Sequence, residues 1–418
     1  MNKIKYIRYI LTAFILAGGL LSLAQDMLDS YLVEAAKNNP GLKSRFSEYL
    51  ATLEKVPQVG ALPDPQVAFG YFIQPVETRV GPQIARISAS QMFPWFGTFR
   101  AKEDAVTEMA KSKYEMFEEA KSHLFYEVKS TYYSLYFTQK AIDIMLENII
   151  ILNTFHKLAL IKVESGLASS VDLLRVEMDI ADLENQLALL RDNFFIMQTG
   201  FNNLLNVDEQ RVVITPDSLI NTDFNLTRET VLDSIRSGNH QVLQMEFMEA
   251  SYEKQEIVAK KLGNPNFMLG LDYVVVSKSS NPMTSPSESG KDAMVFPMLS
   301  ISIPLYRQKY TSMVKEAVLM QESTESGKLD KMNVLETTFE KANRDYKDAN
   351  RRISLYRGQS DKAIKSLHIL QTAYETEGEN FEELLRMERQ ILKYNLELEK
   401  ARADKDAAIA FIDYLMGK

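Results

Sequence analysis

The chain contains no cysteine. That absence excludes a disulfide framework, a thiolate metal site and a lipid-accepting thiol at a mature N-terminus. Histidine is nearly as scarce, with only His123, His156, His240 and His368. None stands in an H-E-x-x-H or comparable ligand spacing, so no metal site is expected. Ser289-Gly290-Lys291 lacks the rest of a phosphate-binding loop, because Ser285 replaces the first glycine and Asp292 the closing Ser/Thr. The 19 methionines fall mostly at helical packing positions such as Met145 and Met197, where the side chain fills core space. A net charge of −8 without a basic stripe argues against nucleic acid as a partner. No convergent catalytic cluster is visible, so neither an enzyme nor a cofactor is expected. Past the N-terminal leader no stretch approaches the ~18 apolar residues of a membrane-crossing helix, so any span must be made of strands.

Two absences then become positive signals. Neither glycine nor proline occurs from Thr98 to Ser165, or from Leu167 to Thr199, so each segment can run as one helix. At ~1.5 Å per residue the first would reach on the order of 100 Å, which points to an extended helical bundle. The chain also repeats itself. Asn39, Leu62 and Asp64-Pro65 recur 200 residues later as Asn239, Leu262 and Asn264-Pro265. Pro94-Trp95-Phe96 recurs as Pro304-Leu305-Tyr306, and Leu173-Leu174-Arg175-Val176-Glu177 recurs 211 residues later as Leu384-Leu385-Arg386-Met387-Glu388. A period near 200 residues is one supersecondary unit used twice, far longer than the repeat of a short-repeat solenoid.

The seam of each helical hairpin is legible. Leu173, Val176, Ile180, Leu183, Leu187, Leu190, Phe194, Met197, Phe201 and Leu204 keep a 3-4 alternation. The second copy runs from Leu384 to Leu415 with Lys405 alone off pattern, where a lysine stem can snorkel. Gly166 and Gly378 are placed to end one helix at each reversal, with Ser169 and Asn380 as caps for the next. Strand signals lie between the helices. Val67, Phe69, Tyr71 and Ile73 alternate with small residues or Phe72, and Phe267, Leu269, Leu271, Tyr273 and Val275 do likewise with Gly270 and Asp272 among their neighbours. The return strands fit less cleanly, with Ile87, Ala89 and Phe93 against Ser88 and Ser90, and Leu299, Ile301 and Ile303 against Ser300 and Ser302.

Met1 to Ala24 reads as a signal peptide, with Lys3, Lys5 and Arg8 ahead of an apolar stretch and an exit at Ser22-Leu23-Ala24. The expected division is therefore 1–24 as signal peptide and two structural repeats. The first spans 25–220, with strands about 65–74 and 83–93 and a helical hairpin about 98–206. The second spans 221–418, with strands about 265–277 and 294–304 and a helical hairpin about 308–416. Four strands cannot close a membrane barrel, since known ones need about eight or more and an open edge in lipid leaves backbone groups unpaired. If the strands are in a membrane, the barrel has to be shared between chains. A soluble four-stranded sheet packed on helices is the alternative.

These marks together resemble the TolC-like outer-membrane efflux proteins over the whole mature chain. They are Ala35-Ala36 and Asn38-Asn39-Pro40-Gly41-Leu42 in the opening helices, Leu62-Pro63-Asp64-Pro65 ahead of the first strand, Gln91-Met92-Phe93-Pro94-Trp95-Phe96-Gly97 at its return, and Gly166-Leu167 followed by Val171-Asp172-Leu173-Leu174. The resemblance implies a mainly α fold with a membrane β contribution: trimers with a twelve-strand outer-membrane barrel continuous with a twelve-helix periplasmic tunnel. It implies a periplasmic adaptor and an inner-membrane pump as partners, and adaptor docking at the tips Gly166, Leu167 and Gly378. It also implies a periplasmic gate at Asp172, Tyr374 and Glu383, with Arg386 standing where a second acidic ring is found in the family. The heavy-metal and copper export branch is favoured over drug export by the short chain. The expected role is a passive exit duct for metal ions or small toxic molecules. Alternatives are the duct of a type I protein secretion system and a non-conducting periplasmic coiled-coil protein.

Overall fold

The computed structural model describes residues 27–219, 224–279, 290, 294–377 and 381–418. The leader over 1–24, Gly378, Asn380 and most of the second hairpin loop lie outside the described residues. The order is α1 (27–38), α2 (Pro40–Leu53), α3 (Lys55–Gly60), β1 (Gln66–Val76), β2 (Gln83–Phe93), α4 (Thr98–Glu164) and α5 (Ser170–Leu205). The second copy follows as α6 (Arg228–Gly238), α7 (His240–Leu262), β3 (Asn266–Val276), β4 (Met294–Ser302), α8 (Arg307–Glu377) and α9 (Phe381–Leu415). The fold is thus two tandem copies of short helices, a β-hairpin and a long helical hairpin.

Local chemistry explains the joints, and the two copies use it alike. At the start of α2 the Asn39 side chain accepts from the Leu42 N–H at 3.0 Å, with Pro40 in the first helical position, where no N–H is needed. The same Asn39 amide donates to the Leu204 carbonyl at 3.0 Å, and Asn239 donates to the Leu415 carbonyl at 2.9 Å. The repeated asparagine therefore ties each short-helix junction to the end of its own long hairpin. Those ends match as well. Asn206 (φ 52°) and Gly417 (φ 78°), 211 residues apart, each take the left-handed conformation. The bonds around them, Val207 N–H to the Asn202 carbonyl and Lys418 N–H to the Asp413 carbonyl, close the helix in a Schellman turn.

Packing divides the chain into two units, each drawing on both copies. Unit 1 comprises the chain up to Arg45, Phe117–His240 and Met332–Lys418; unit 2 comprises Phe46–Met116 and Gln241–Lys331. Unit 1 holds the helix reversals. One of its cores gathers Ile142, Leu152, Phe155, Val176, Leu183 and Leu187 of the first hairpin with Tyr374, Phe381, Leu384, Leu385 and Leu392 of the second. The other packs Tyr31 and Ala35 of α1 against Leu124, Val128, Tyr132, Phe201 and Leu205. The α5 seam faces these cores along its length. Lys405 departs from expectation: it is fully buried in the α9 seam, its stem held inside instead of snorkelling to water. Burial also pushes the adjacent Asp406 carboxyl up to about 7, with the Lys405 charge pulling the other way.

One stretch of α4 proves long and apolar enough by composition to cross a membrane, contrary to the sequence expectation. The reason is crowding. Ile142, Met145, Leu152, Phe155 and Ala159 of α4 are buried in the reversal core, while Ile150, Leu160 and Ile161 of the same helix stand exposed, so apolar residues extend around it.

Unit 2 holds an antiparallel sheet in the order β1-β2-β3-β4. The central pairing joins the copies: Phe93 lies opposite Phe267, and Ser88 opposite Asp272. β1 and β4 are edges with no neighbour on their outer sides among the described residues.

Candidate functional site

The sheet separates two chemistries. One face carries Val67, Phe69, Tyr71, Ile73, Leu269, Leu271, Leu299 and Ile301, all exposed, with Ile73 at 91%. The opposite face carries Ala68, Gly70, Arg86, Ser88, Ser90, Gly270, Asp272, Ser300 and Ser302, with Phe72, Met268, Phe296 and Met298 between them. Arg86 and Asp272 are the one arginine and one aspartate in the four strands, and they are paired with each other. Aromatic side chains mark the strand-to-helix junctions: Trp95 stacks on Phe267 at 5.8 Å, while Phe96 and Tyr306 stand exposed. At the other end the two hairpin loops are bonded together, Ser277 N–H to the Pro82 carbonyl at 2.8 Å and Gly290 N–H to the Val80 carbonyl at 2.9 Å. Gly81 (φ 132°) permits the closeness, since a Cβ there would lie 1.8 Å from the Ser277 carbonyl oxygen.

The helix reversals in unit 1 bring together most of the residues singled out in the sequence. Gly166 (φ 77°) ends α4 in a Schellman turn, with Leu167 N–H on the Lys162 carbonyl and Gly166 N–H on the Val163 carbonyl. Ser169 then caps α5 by accepting from the Val171 N–H at 3.2 Å. Leu167 projects into solvent, and Val171, Leu174 and Met178 continue an exposed apolar row. The second copy differs there. Its equivalents 211 residues on are Glu382, Leu385 and Arg389, and Leu385 is 1% exposed where Leu174 is 58%.

Tyr374 is fully buried, its ring 5.1 Å from that of Phe381. The Lys162 ammonium sits 4.2 Å over the ring and donates to the Tyr374 carbonyl, joining the two hairpins. The Tyr374 hydroxyl has no partner among the described residues, and burial, with the Asp172 charge behind it, raises its pKa. Lys162 was not among the expected residues. A basic residue in the last turn of a helix is ordinary dipole chemistry, so nothing in the sequence sets it apart.

The acidic residues are less bare than the sequence suggested. Asp172 pairs with Arg175 at 3.4 Å, and Glu383 pairs with Arg386, each one turn along and at equivalent places in the two copies. Arg175 also reaches Glu382 of the second hairpin at 3.1 Å, and Arg389 reaches Asp179 at 3.7 Å. An acidic group followed by an arginine presents a dipole where an acidic ring alone would present net charge. Among the described residues no group of His, Asp and Glu could hold a metal ion.

No known family's sequence profile matches the chain. No curated protein matches it either. Solved structures do. The outer-membrane channel OprN superposes with a TM-score of 0.76 at 15% identity, over 95% of this chain and 92% of that one. The outer-membrane protein VceC of Vibrio cholerae gives 0.76 at 12% identity, over 95% and 98%. CusC, described as folding into a transmembrane channel, gives 0.74 at 14% identity, over 93% and 92%. At such identities the likeness establishes the fold, which over 93% or more of this chain is that of these channel proteins.

Proposed function

We propose that the chain is the outer-membrane exit duct of an efflux system, a homotrimer that extends into the periplasm and supplies a sealed aqueous path without chemistry of its own. Three copies of the four-stranded sheet would give twelve strands and satisfy both open edges, as hydrocarbon requires. The observation that carries this reading is the face segregation of the sheet: its exposed face is apolar, and its only charge pair lies on the other. Aromatic residues at the strand ends suit the lipid–water boundary. The long helical hairpins of three copies would form the periplasmic tunnel. The apolar row from Leu167 to Met178 suits an adaptor's helices, and an inner-membrane pump would supply energy and choose the cargo.

The gate of this duct we assign to the reversal core. Lys162 holds the second hairpin to the first through Tyr374, and the Asp172–Arg175–Glu382 chain adds a second tie. Metal ions or small toxic molecules are the cargo proposed from the sequence, and the heavy-metal branch rests on that alone, since OprN and VceC superpose as well as CusC. The test is reconstitution of purified protein in planar bilayers. Discrete conductance steps that grow when Lys162 is replaced by Ala are expected. Correctly folded trimers that never conduct, with or without that substitution, would favour a non-conducting structural role.

A further inference from the structure

We infer that the barrel lumen carries an oxyanion-binding ring built from Arg86, one per chain, so that the strand end of the duct favours multiply charged oxyanions. This rests on the duct reading. A charged side chain within a membrane barrel must face the water-filled interior, and the sheet has one cation and one anion with which to do so. They are not displayed equally. Asp272 is completely buried, whereas 42% of the Arg86 side chain is exposed, so solution meets the guanidinium and not its counter-charge.

The arginine is also held in one orientation. Its Nη2 is bonded to the Asp272 Oδ2, its Nε donates to the Ser88 Oγ at 3.2 Å, and its guanidinium carbon lies 5.9 Å from the centre of the Phe296 ring. Nη1 is left without an acceptor among the described residues. Gly70 on β1 lies directly opposite Arg86, and a Cβ there would touch nothing nearer than the Arg86 Cβ at 3.9 Å, so the glycine leaves the β1 side of the arginine uncovered. A buried carboxylate that fixes an arginine while leaving part of its planar fork free is a receptor for phosphate or carboxylate oxygens. Threefold repetition would aim three such forks at one axis.

Inorganic tripolyphosphate is a suitable probe, added to the trimer in planar bilayers and, separately, in detergent for calorimetry. The wild-type duct is expected to be blocked by it from the strand side. Arg86→Gln should weaken block at least tenfold and shift the reversal potential in a KCl gradient toward cations. Asp272→Asn, whose amide oxygen can still accept from Nη2 and hold the guanidinium while the counter-charge is removed, should strengthen block, and Arg86→Lys should keep the charge but bind less tightly than wild type. A merely structural pair predicts loss in the same direction for both partners. A conducting wild-type channel indifferent to tripolyphosphate, or Arg86→Gln and Asp272→Asn weakening block alike, would overturn the ring. A protein that never conducts would count against the duct instead. Calorimetry would then decide the ring alone, with binding lost in Arg86→Gln supporting it and no binding to wild type refuting it.

Discussion

Tyr374 carries two contacts that can be separated by mutation. Its ring and carbonyl engage Lys162, while its buried hydroxyl engages nothing among the described residues. Tyr374→Phe should therefore leave bilayer conductance near wild type and slightly raise thermal stability, by about 1 kcal/mol, as an unsatisfied buried hydroxyl is removed. Lys162→Ala, in contrast, should raise open probability several-fold. A Tyr374→Phe channel that opened as readily as Lys162→Ala would sink this assignment of the gate. The acidic positions obey a different logic. With Glu383 paired to Arg386 on a half-exposed surface, the pair adds little stability, and its effect is on the local field. Glu383→Gln should lower cation preference and Arg386→Gln should raise it. Reversal potentials that moved in the same direction for both would show that neither faces the ion path.

At the scale of elements, much was legible because the physical signals were periodic. The β2 strand over Gln83–Phe93 and the α5 helix over Ser170–Leu205 follow from alternation and the 3-4 seam. The turn at Gly166 follows from the demand for a left-handed residue. The rest depended on which side of an element meets which neighbour, and sequence period is silent on that. Val171, Leu174 and Met178 lie on the same helix as the buried Val176 and Leu183, yet their outward aspect emerges only once the two hairpins are packed. For the same reason the sequence showed Glu383 and Arg386 three residues apart without revealing that they bond, and left Lys162 unmarked. The burial of Lys405 and Asp406 was hidden too, because whether an α9 charge is covered is decided by the helices packed against it. Asp406 yields a test of that packing. With its folded pKa at about 7, above the ordinary aspartate value near ~4, the folded chain keeps a proton the unfolded chain has released. Stability should then fall as pH rises from ~4 to ~7 and stay flat above, the loss being complete once both states are ionised. Asp406→Asn should abolish that slope, so its gain in Tm over wild type should be small at pH 4 and on the order of several degrees at pH 8. Equal gains at both pH values would place Asp406 in water.

For the whole molecule the decisive property is closure. Among the described residues a single chain offers four strands with two open edges, and an exposed edge recruits another copy. Recruitment alone does not distinguish a barrel from an open fibre, since a heterologous edge contact closes into a ring only if its rotation returns to the start. The absence of cysteine makes the distinction measurable. One cysteine placed in turn at Val67, Phe69 and Tyr71 of β1, combined with one at Leu299 of β4, would report the edge-to-edge contact by disulfide formation within native membranes. Both edges carry these residues on the exposed apolar face, so the substitutions spare the Arg86–Asp272 pair on the opposite face. In denaturing gels after oxidation, a closed trimer gives linked dimers and trimers and nothing larger, however long the reaction runs. A ladder that climbs past three copies would mean that the edges join without closing, and one that never leaves the monomer would mean that β1 and β4 do not meet. Either result removes the sealed path on which conductance, gate and oxyanion ring all depend, because water-filled interiors require a wall with no unpaired edge in lipid.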